Sequence, residues 1–280
     1  MNDPPKPNVR ANVARLVRQQ TAAWADVPGM EDLNNLLRLM AKWRAHALAE
    51  TYLTYAGATV MQGPFAGMTY VSNATEGALI ARLLGVYESE LHPHLEAFAG
   101  EGLDCVIDVG CAEGYYAVGL ARRMPGAEVF AYDISAVART ACADLAAKNG
   151  VTGQVKIGGE FKPEDFQGFA GRRVLVLVDA EGAEVDILQP DRGPALAHMN
   201  IIVETHDLFR PGALNTMIQR FEATHDIQRI DQGPKIFEPP AWLKNLGHLD
   251  QLLATWEWRA RPTPWLVMRP KSLSGSDGVI

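Results

Sequence analysis

The chain has 280 residues, 48% of them hydrophobic and 21% charged, with a formal net charge of -7. That is the balance of a globular protein large enough for one domain with an extension. An acidic chain lacks the broad basic face of a non-specific nucleic-acid binder, and no apolar run is long enough to span a bilayer, so neither nucleic acid nor membrane is expected as a partner.

Cys105, Cys111 and Cys142 are odd in number, with no CxxC and no zinc-ligand spacing, so no disulfide framework is implied. The opening MNDPPKPN is polar and proline-rich, without the apolar stretch of a signal peptide. A reducing, cytoplasmic setting is expected. From Val9 to Tyr55, apolar residues recur at helical intervals, most clearly in LNNLLRLMAKWRAHALAETYL. GATVMQGPFAGMTYVS mixes β-branched and aromatic residues with Gly63-Pro64 and Gly67, the pattern of a short hairpin. ATEGALIARLLGVYESELHPHLEAF reads as helix, with Pro93 marking a break or restart. Residues 1–100 are therefore expected to form a mostly helical N-terminal cap with a short β-hairpin. Its apolar helical faces need a partner, which the following core or, in a homodimer through the N-terminal helices, a second copy would provide.

From Leu103, β-type runs alternate with helical ones. They are CVIDV, a helix from Tyr115, EVFAYD, a helix from Ala136 to Lys148, QVKIG, a short helix near Asp165, VLVLVD, a helix near Val185, NIIVE, and a helix from Ala213 to Ala223. Near-continuous apolar strands imply burial on both faces, hence a parallel sheet covered by helices. DIQRID and PWLVMRP add two strands, separated by a helical insertion around Leu246 to Trp256. The core is expected over 101–271 and a mobile tail over 272–280.

A doubly wound sheet binds ligands beyond the carboxyl ends of its strands. Asp108, Gly110, Cys111, Ala112, Glu113 and Gly114 lie beyond the first of them, in VIDVGCAEGYYAVGLA. Gly110 and Gly114 let the backbone turn sharply and approach a ligand. Asp133 ends the second strand, at the distance downstream where an acid meets a ribose. A dinucleotide would want G-x-G-x-x-G, with its pyrophosphate on the helix N-terminus. Here Glu113 stands where a diphosphate would approach, which disfavours phosphate and suits a cationic ligand such as S-adenosylmethionine.

The same stretch resembles the first motif of class I S-adenosylmethionine-dependent methyltransferases. Asp108, Gly110 and Gly114 match that motif, while Ala112 replaces its middle glycine. AYDIS resembles the second motif, which implies Asp133 on the ribose. VLVDAEGAEVDIL followed by IIVETHD is similar to the FkbM-type branch, whose fourth strand ends in D-x-E-G-x-E. The resemblance covers about Leu103 to Leu208. It implies an α/β, Rossmann-like doubly wound seven-stranded sheet of order 3-2-1-4-5-7-6 with the last strand antiparallel. It also implies adenine near Gly159, Glu160 and Phe161. Tyr115, opening the helix after the glycine turn, is expected to pack on the cofactor and Tyr116 in the core.

Asp179, Glu181 and Glu184 follow the fourth strand; Glu204, His206 and Asp207 follow the fifth. The expected reaction is transfer of a methyl group to a hydroxyl of a small polar acceptor, a sugar or secondary metabolite. His206 or Asp207 would serve as the base, with Asp179 beside them. Asp179, His206 and Asp207 could alternatively hold a divalent cation, as acids at these strand ends do in some O-methyltransferases of the class. Both alternatives remain open at this stage. Tyr87, Glu90 and His92 could line a lid, and the H-x-H pair His92 and His94 has no third ligand nearby. The rival functions are a nucleotide-dependent oxidoreductase on the same core and a non-catalytic binder of the same fold.

Overall fold

A computed structural model describes residues 9–24, 26–71 and 78–271. Among the described residues of the first hundred, the α-helices are α1 (Val9–Ala22), α2 (Met30–Ala56), α3 (Leu79–Leu84) and α4 (His92–Gly100). On α2, Ala45, Leu48, Ala49 and Tyr52 are buried, a stripe at i, i+3, i+4 and i+7. The restart expected at Pro93 is found: Pro93 lies in the first turn of α4, where a missing N–H costs nothing. The helix before it ends earlier, at Gly85, which has φ 70°; a Cβ on it would sit 1.9 Å from the Gln62 carbonyl oxygen, so only glycine fits. The expected hairpin is reduced to one bridge, Thr59 with Thr69. Met61 N–H is turned away to Leu83 O, at the end of α3.

The seven strands are β1 (Cys105–Val109), β2 (Glu128–Tyr132), β3 (Val155–Gly158), β4 (Val174–Val178), β5 (Asn200–Glu204), β6 (His225–Ile230) and β7 (Trp265–Pro270). Their order is β3-β2-β1-β4-β5-β7-β6. β1 to β5 are parallel, and β7 runs antiparallel to β5 and β6. This is the expected doubly wound, Rossmann-like sheet. CVIDV and VLVLV are buried along their whole length. Val106, Leu175 and Leu177 face one helical layer, while Ile107, Val109, Val174, Val176 and Val178 face the other. Each such side chain contributes about 1.5–3 kcal/mol on full burial, so these central strands anchor the loops that follow them.

The connecting helices are α5 (Tyr115–Arg123), α6 (Ala136–Lys148), α7 (Glu184–Ile187) and α8 (Ala213–Phe221), with α9 (Ala241–Lys244) and α10 (His248–Thr255) inserted before β7. The helix expected near Asp165 is a 3₁₀ turn, Pro163–Phe169, entered through Pro163. Arg44 of α2 grips Asp250 of α10 through two hydrogen bonds of 2.6 and 2.7 Å, tying the insertion to the N-terminal helices. Among the described residues, no helix is long and apolar enough to cross a membrane. The tail expected to be mobile, 272–280, lies outside the described residues.

Candidate active site

The carboxyl ends of β1, β2, β4 and β5 open into two cavities. The larger, of 670 Å³, is lined by Gly110, Asp133, Glu160, Phe161, Asp179 and Glu181 among others. The smaller, of 300 Å³, is lined by Gly110, Ala112, Asp179, Glu181, His206 and Arg259 among others. Gly110, Asp179 and Glu181 belong to both, so the two spaces meet where β1 and β4 end.

That meeting depends on Gly110. Its φ is 85°, and a Cβ there would lie 1.8 Å from the Asp179 carbonyl oxygen. Ala112 adopts φ 46°, the left-handed conformation a glycine would take without strain. Its N–H donates to Asp133 Oδ2 at 3.0 Å, and Ser135 N–H donates to Oδ1 at 2.7 Å. Asp133 is thus held by two backbone amides at the wall of the larger cavity. Its oxygens keep further lone pairs for ligand hydroxyls. Phe161 packs edge-on against Tyr132 and Phe166, and the exposed Glu160 stands beside Lys162.

Asp108 lines neither cavity. It is buried on β1, and both of its carboxylate oxygens lack a hydrogen-bond partner. Burial, with Asp179 nearby, pushes its carboxyl up to about 8. Asp179 Oδ1 is likewise buried without a hydrogen-bond partner. Buried acceptors call for a donor or a counter-charge; Asp179 lines both cavities, and a ligand bearing an ammonium or sulfonium beside it would fit this need.

Three expectations are corrected. Glu113 does not face a ligand. It is buried against Arg82 at 2.8 Å and accepts from the Tyr70 hydroxyl, so its charge is spent on the N-terminal segment. The acidity that disfavours a diphosphate comes instead from Asp179 and Glu181 at the junction of the cavities. Tyr115 lines neither cavity; it sits edge-on to Phe65, Tyr70, Tyr87 and Tyr116 in a buried aromatic cluster. Asp207 points away from the site. It is exposed, and its carboxylate accepts Gly212 N–H at 2.9 Å and Leu214 N–H at 3.2 Å, satisfying the start of α8. Gly212 at the N-cap of that helix has no side chain to do so.

His206 is at the centre of the acids. Nε2 lies 3.6 Å from Asp179 Oδ1, 3.6 Å from Glu181 Oε2 and 3.4 Å from Glu204 Oε2. Nδ1 lies 3.5 Å from Glu184 Oε1, which also accepts the His206 backbone N–H at 2.7 Å. Burial opposes the imidazolium, yet Glu184, Asp179 and Glu181 hold the pKa above the ordinary histidine value. Glu184 moves the other way: despite burial, its contact with His206 keeps its carboxyl below the usual range. Among the described residues, Asp179, Glu181 and His206 form a group able to hold a metal ion, their ligand atoms all within 4.8 Å of one another. Glu181 thus stands where Asp207 was expected.

Sequence reasoning missed the wall formed by the insertion. Arg259 enters the smaller cavity and pairs with Glu88, Glu204 and Glu257. Thr263 Oγ1 donates to Glu204 at 2.6 Å. Of the lid candidates, Tyr87 lines this cavity. Glu90 instead holds Gly233 N–H and Lys235, and His92 meets the Tyr87 carbonyl, on another face. Among the described residues, the non-glycine residues with positive φ are Glu88, Ala112, Glu181 and Trp258. The last three line the smaller cavity, and Glu88 binds its Arg259. Such strain costs on the order of 1–3 kcal/mol each and gathers where a site demands it.

No family model and no curated protein matches this sequence. In solved structures, the chain is similar to the O-methyltransferase TomG from Streptomyces achromogenes, involved in tomaymycin synthesis and in complex with SAM. Identity is 13%, coverage 64% of this chain and 80% of that one, and the TM-score 0.44. It is similar to an O-methyltransferase from Bacillus cereus in complex with SAH (8%; 94% and 100%; 0.46). A further similar structure is the human methyltransferase 10 domain containing protein (10%; 81% and 97%; 0.47).

Proposed function

We propose that this protein is a class I, FkbM-type S-adenosylmethionine-dependent methyltransferase that methylates a hydroxyl of a small polar acceptor. The observation that carries the proposal is the meeting of two cavities at Gly110, Asp179 and Glu181, with Asp133 on one side and His206 on the other. Asp133 would bind the ribose hydroxyls, with Glu160 and Phe161 beside the adenine. The Gly110 turn lets the β1 and β4 loops pack against each other, and the ligand would run past this turn from the larger cavity into the smaller. Asp179, which lines both cavities and whose Oδ1 is buried without a hydrogen-bond partner, favours a cation there. When bound, the cofactor supplies an electrophilic methyl carbon on a sulfonium.

The rest falls to this chain. Nε2 of His206 faces the smaller cavity and would take the acceptor's hydroxyl proton. Glu184 fixes the ring from the Nδ1 side, and Asp179 and Glu181 stabilise the imidazolium that results. Glu204, locked by Arg259 and Thr263, holds β5 in register with this wall. Calorimetric titration with S-adenosylhomocysteine and with NAD tests the cofactor. Binding of NAD alone would favour the oxidoreductase rival.

A second reading is favoured by the Asp179, Glu181 and His206 group, whose two carboxylates and one imidazole suit a divalent transition metal. Such an ion would lower the acceptor hydroxyl's pKa and orient it. Activity after exhaustive chelation, followed by metal add-back, separates the readings. Full activity in chelator with loss in His206→Ala supports the base.

A further inference from the structure

The smaller cavity is lined by charges of both signs. Asp179, Glu181 and Glu204 gather within 3.6 Å of His206 Nε2, and Glu257 lines the same cavity. The lining also carries two exposed cations, Lys42, from α2, and Arg261, from the segment between α10 and β7. The other arginines lining this cavity are already matched: Arg82 by Glu113 and Arg259 by three carboxylates. Lys42 and Arg261 form no ion pair among the described residues, although the protein as a whole is acidic.

Lys42 is also placed. Its Nζ lies 5.0 Å over the ring of Trp258, itself part of the cavity wall. About a turn to one side, Arg38 donates to the Ala260 carbonyl at 3.4 Å, and just beyond on the other, Arg44 grips Asp250. α2 and the insertion are therefore joined on both sides of Lys42, and the two cations line one cavity although they are more than two hundred residues apart in sequence.

We propose that the methyl acceptor carries an anionic group, a carboxylate or a phosphate, held by Lys42 and Arg261 while its hydroxyl reaches His206. The inference rests on the methyltransferase reading and adds the acceptor's chemical class to it. The acids around His206 repel an anion, so the charged end of such a molecule has one stable orientation, away from His206 and toward Lys42 and Arg261. Repulsion at one end and attraction at the other select against the reversed pose and against neutral analogues. A cavity walled by protein focuses this field more than an open surface would.

The test begins with calorimetry of the intact protein and S-adenosylhomocysteine. Failure of the wild type to bind it would overturn the methyltransferase reading itself. The cofactor-loaded protein is then titrated with inorganic phosphate and with acetate. Saturable binding of at least one is expected, weakening with ionic strength. Lys42→Gln and Arg261→Gln should each weaken it about two- to fivefold, the scale of exposed ion pairs, and the double variant should lose it, with cofactor affinity unchanged. Preference for acetate or phosphate tells which anion the two cations suit. Glucose, glucuronate and glucose 6-phosphate then form a matched set in which the neutral sugar should bind most weakly. The proposal is overturned if the loaded wild type binds neither anion, or if the double variant binds as well as wild type. It is also overturned if cofactor affinity falls in parallel, since the cations would then serve the cofactor's own carboxylate. Both side chains are exposed, and circular dichroism confirms that the variants fold.

Discussion

Replacing Asp133 by alanine should damage the protein in two separable ways. Its carboxylate accepts backbone N–H groups from Ala112 and Ser135, at 3.0 and 2.7 Å. The residue is half-buried, so water replaces part of what is lost. At about 0.5–1.5 kcal/mol for each hydrogen bond, stability should fall by roughly 1–3 kcal/mol, or about 2–12 °C in Tm for a domain of this size. Independently, losing a charged acceptor for the ribose hydroxyls should cost about 1.5–3 kcal/mol of binding, about 10- to 150-fold in Kd for S-adenosylhomocysteine. Calorimetry measures the affinity directly. Thermal melts with and without ligand measure both effects, because ligand stabilisation shrinks as Kd rises. Asp133→Asn keeps an acceptor for the backbone and should recover more stability than affinity. A folded Asp133→Ala protein that binds S-adenosylhomocysteine as wild type does would refute the ribose assignment and leave Asp133 a loop anchor.

Three further outcomes are expected. Since His206 must be neutral to accept a proton, and the Glu184 carboxylate favours its charged form, turnover should rise with pH through a pKa above the ordinary histidine value. Glu184→Gln should move that limb to lower pH; a limb that stays or moves upward would exclude His206 as the titrating base. Asp207→Ala should cost about 1 kcal/mol of stability through the uncapped start of α8 while retaining most turnover. His206→Ala should lose about 10²–10⁴-fold, and equal losses in the two variants would return Asp207 to the chemistry. The Asp108 carboxyl, raised to about 8 from 3.8, keeps a proton in the folded protein that the unfolded chain releases. Ligand-free stability should therefore fall as pH rises between about 4 and 8. Denaturant titrations should show Asp108→Asn flattening that slope, and an unchanged slope would mean that Asp108 is ionised throughout.

The sheet and the glycine turn after β1 were legible because their signals are local. Apolar runs such as VLVLV need no partner to be read as buried strands, and α6 has the bounds its sequence implies, with Ser135 at its N-cap. Asp133, Asp179 and His206 were legible because parallel strands end at one edge, so spacing along the chain becomes proximity in space. Neighbours on a turn are harder to separate. Asp207 follows His206 directly yet faces the opposite way. The missing side chain at Gly212 was the available hint that a remote acid serves α8. Contacts across long separations left no pattern at all. Glu113 finds Arg82 and Tyr70, which precede it by 31 and 43 positions, and Arg259 reaches back 171 to Glu88. Gly85 rather than Pro93 ends α3 because Gln62 lies against it, which the sequence of that segment does not encode by itself.

What emerges at the site is a shortage of positive charge. Asp179, Glu181, Glu184 and Glu204 surround a single imidazole, and Arg259 is shared among Glu204, Glu88 and Glu257. Gathering buried carboxylates is unfavourable unless each has a counter-charge or keeps its proton. Two of the acids nearby take the second course: burial pushes Asp108 to about 8 and Glu88 to about 7, the latter even with Arg259 beside it. A cationic ligand at the junction of the cavities would supply the missing charge and allow those protons to leave. A dinucleotide would deepen the imbalance with its two phosphates. Elsewhere in the smaller cavity's lining the imbalance is reversed, with Lys42 and Arg261 in no ion pair among the described residues. One ligand that is positive at the junction and another that is negative beside Lys42 and Arg261 would satisfy both, and a methyl donor with an anionic hydroxyl acceptor is a pair with those charges.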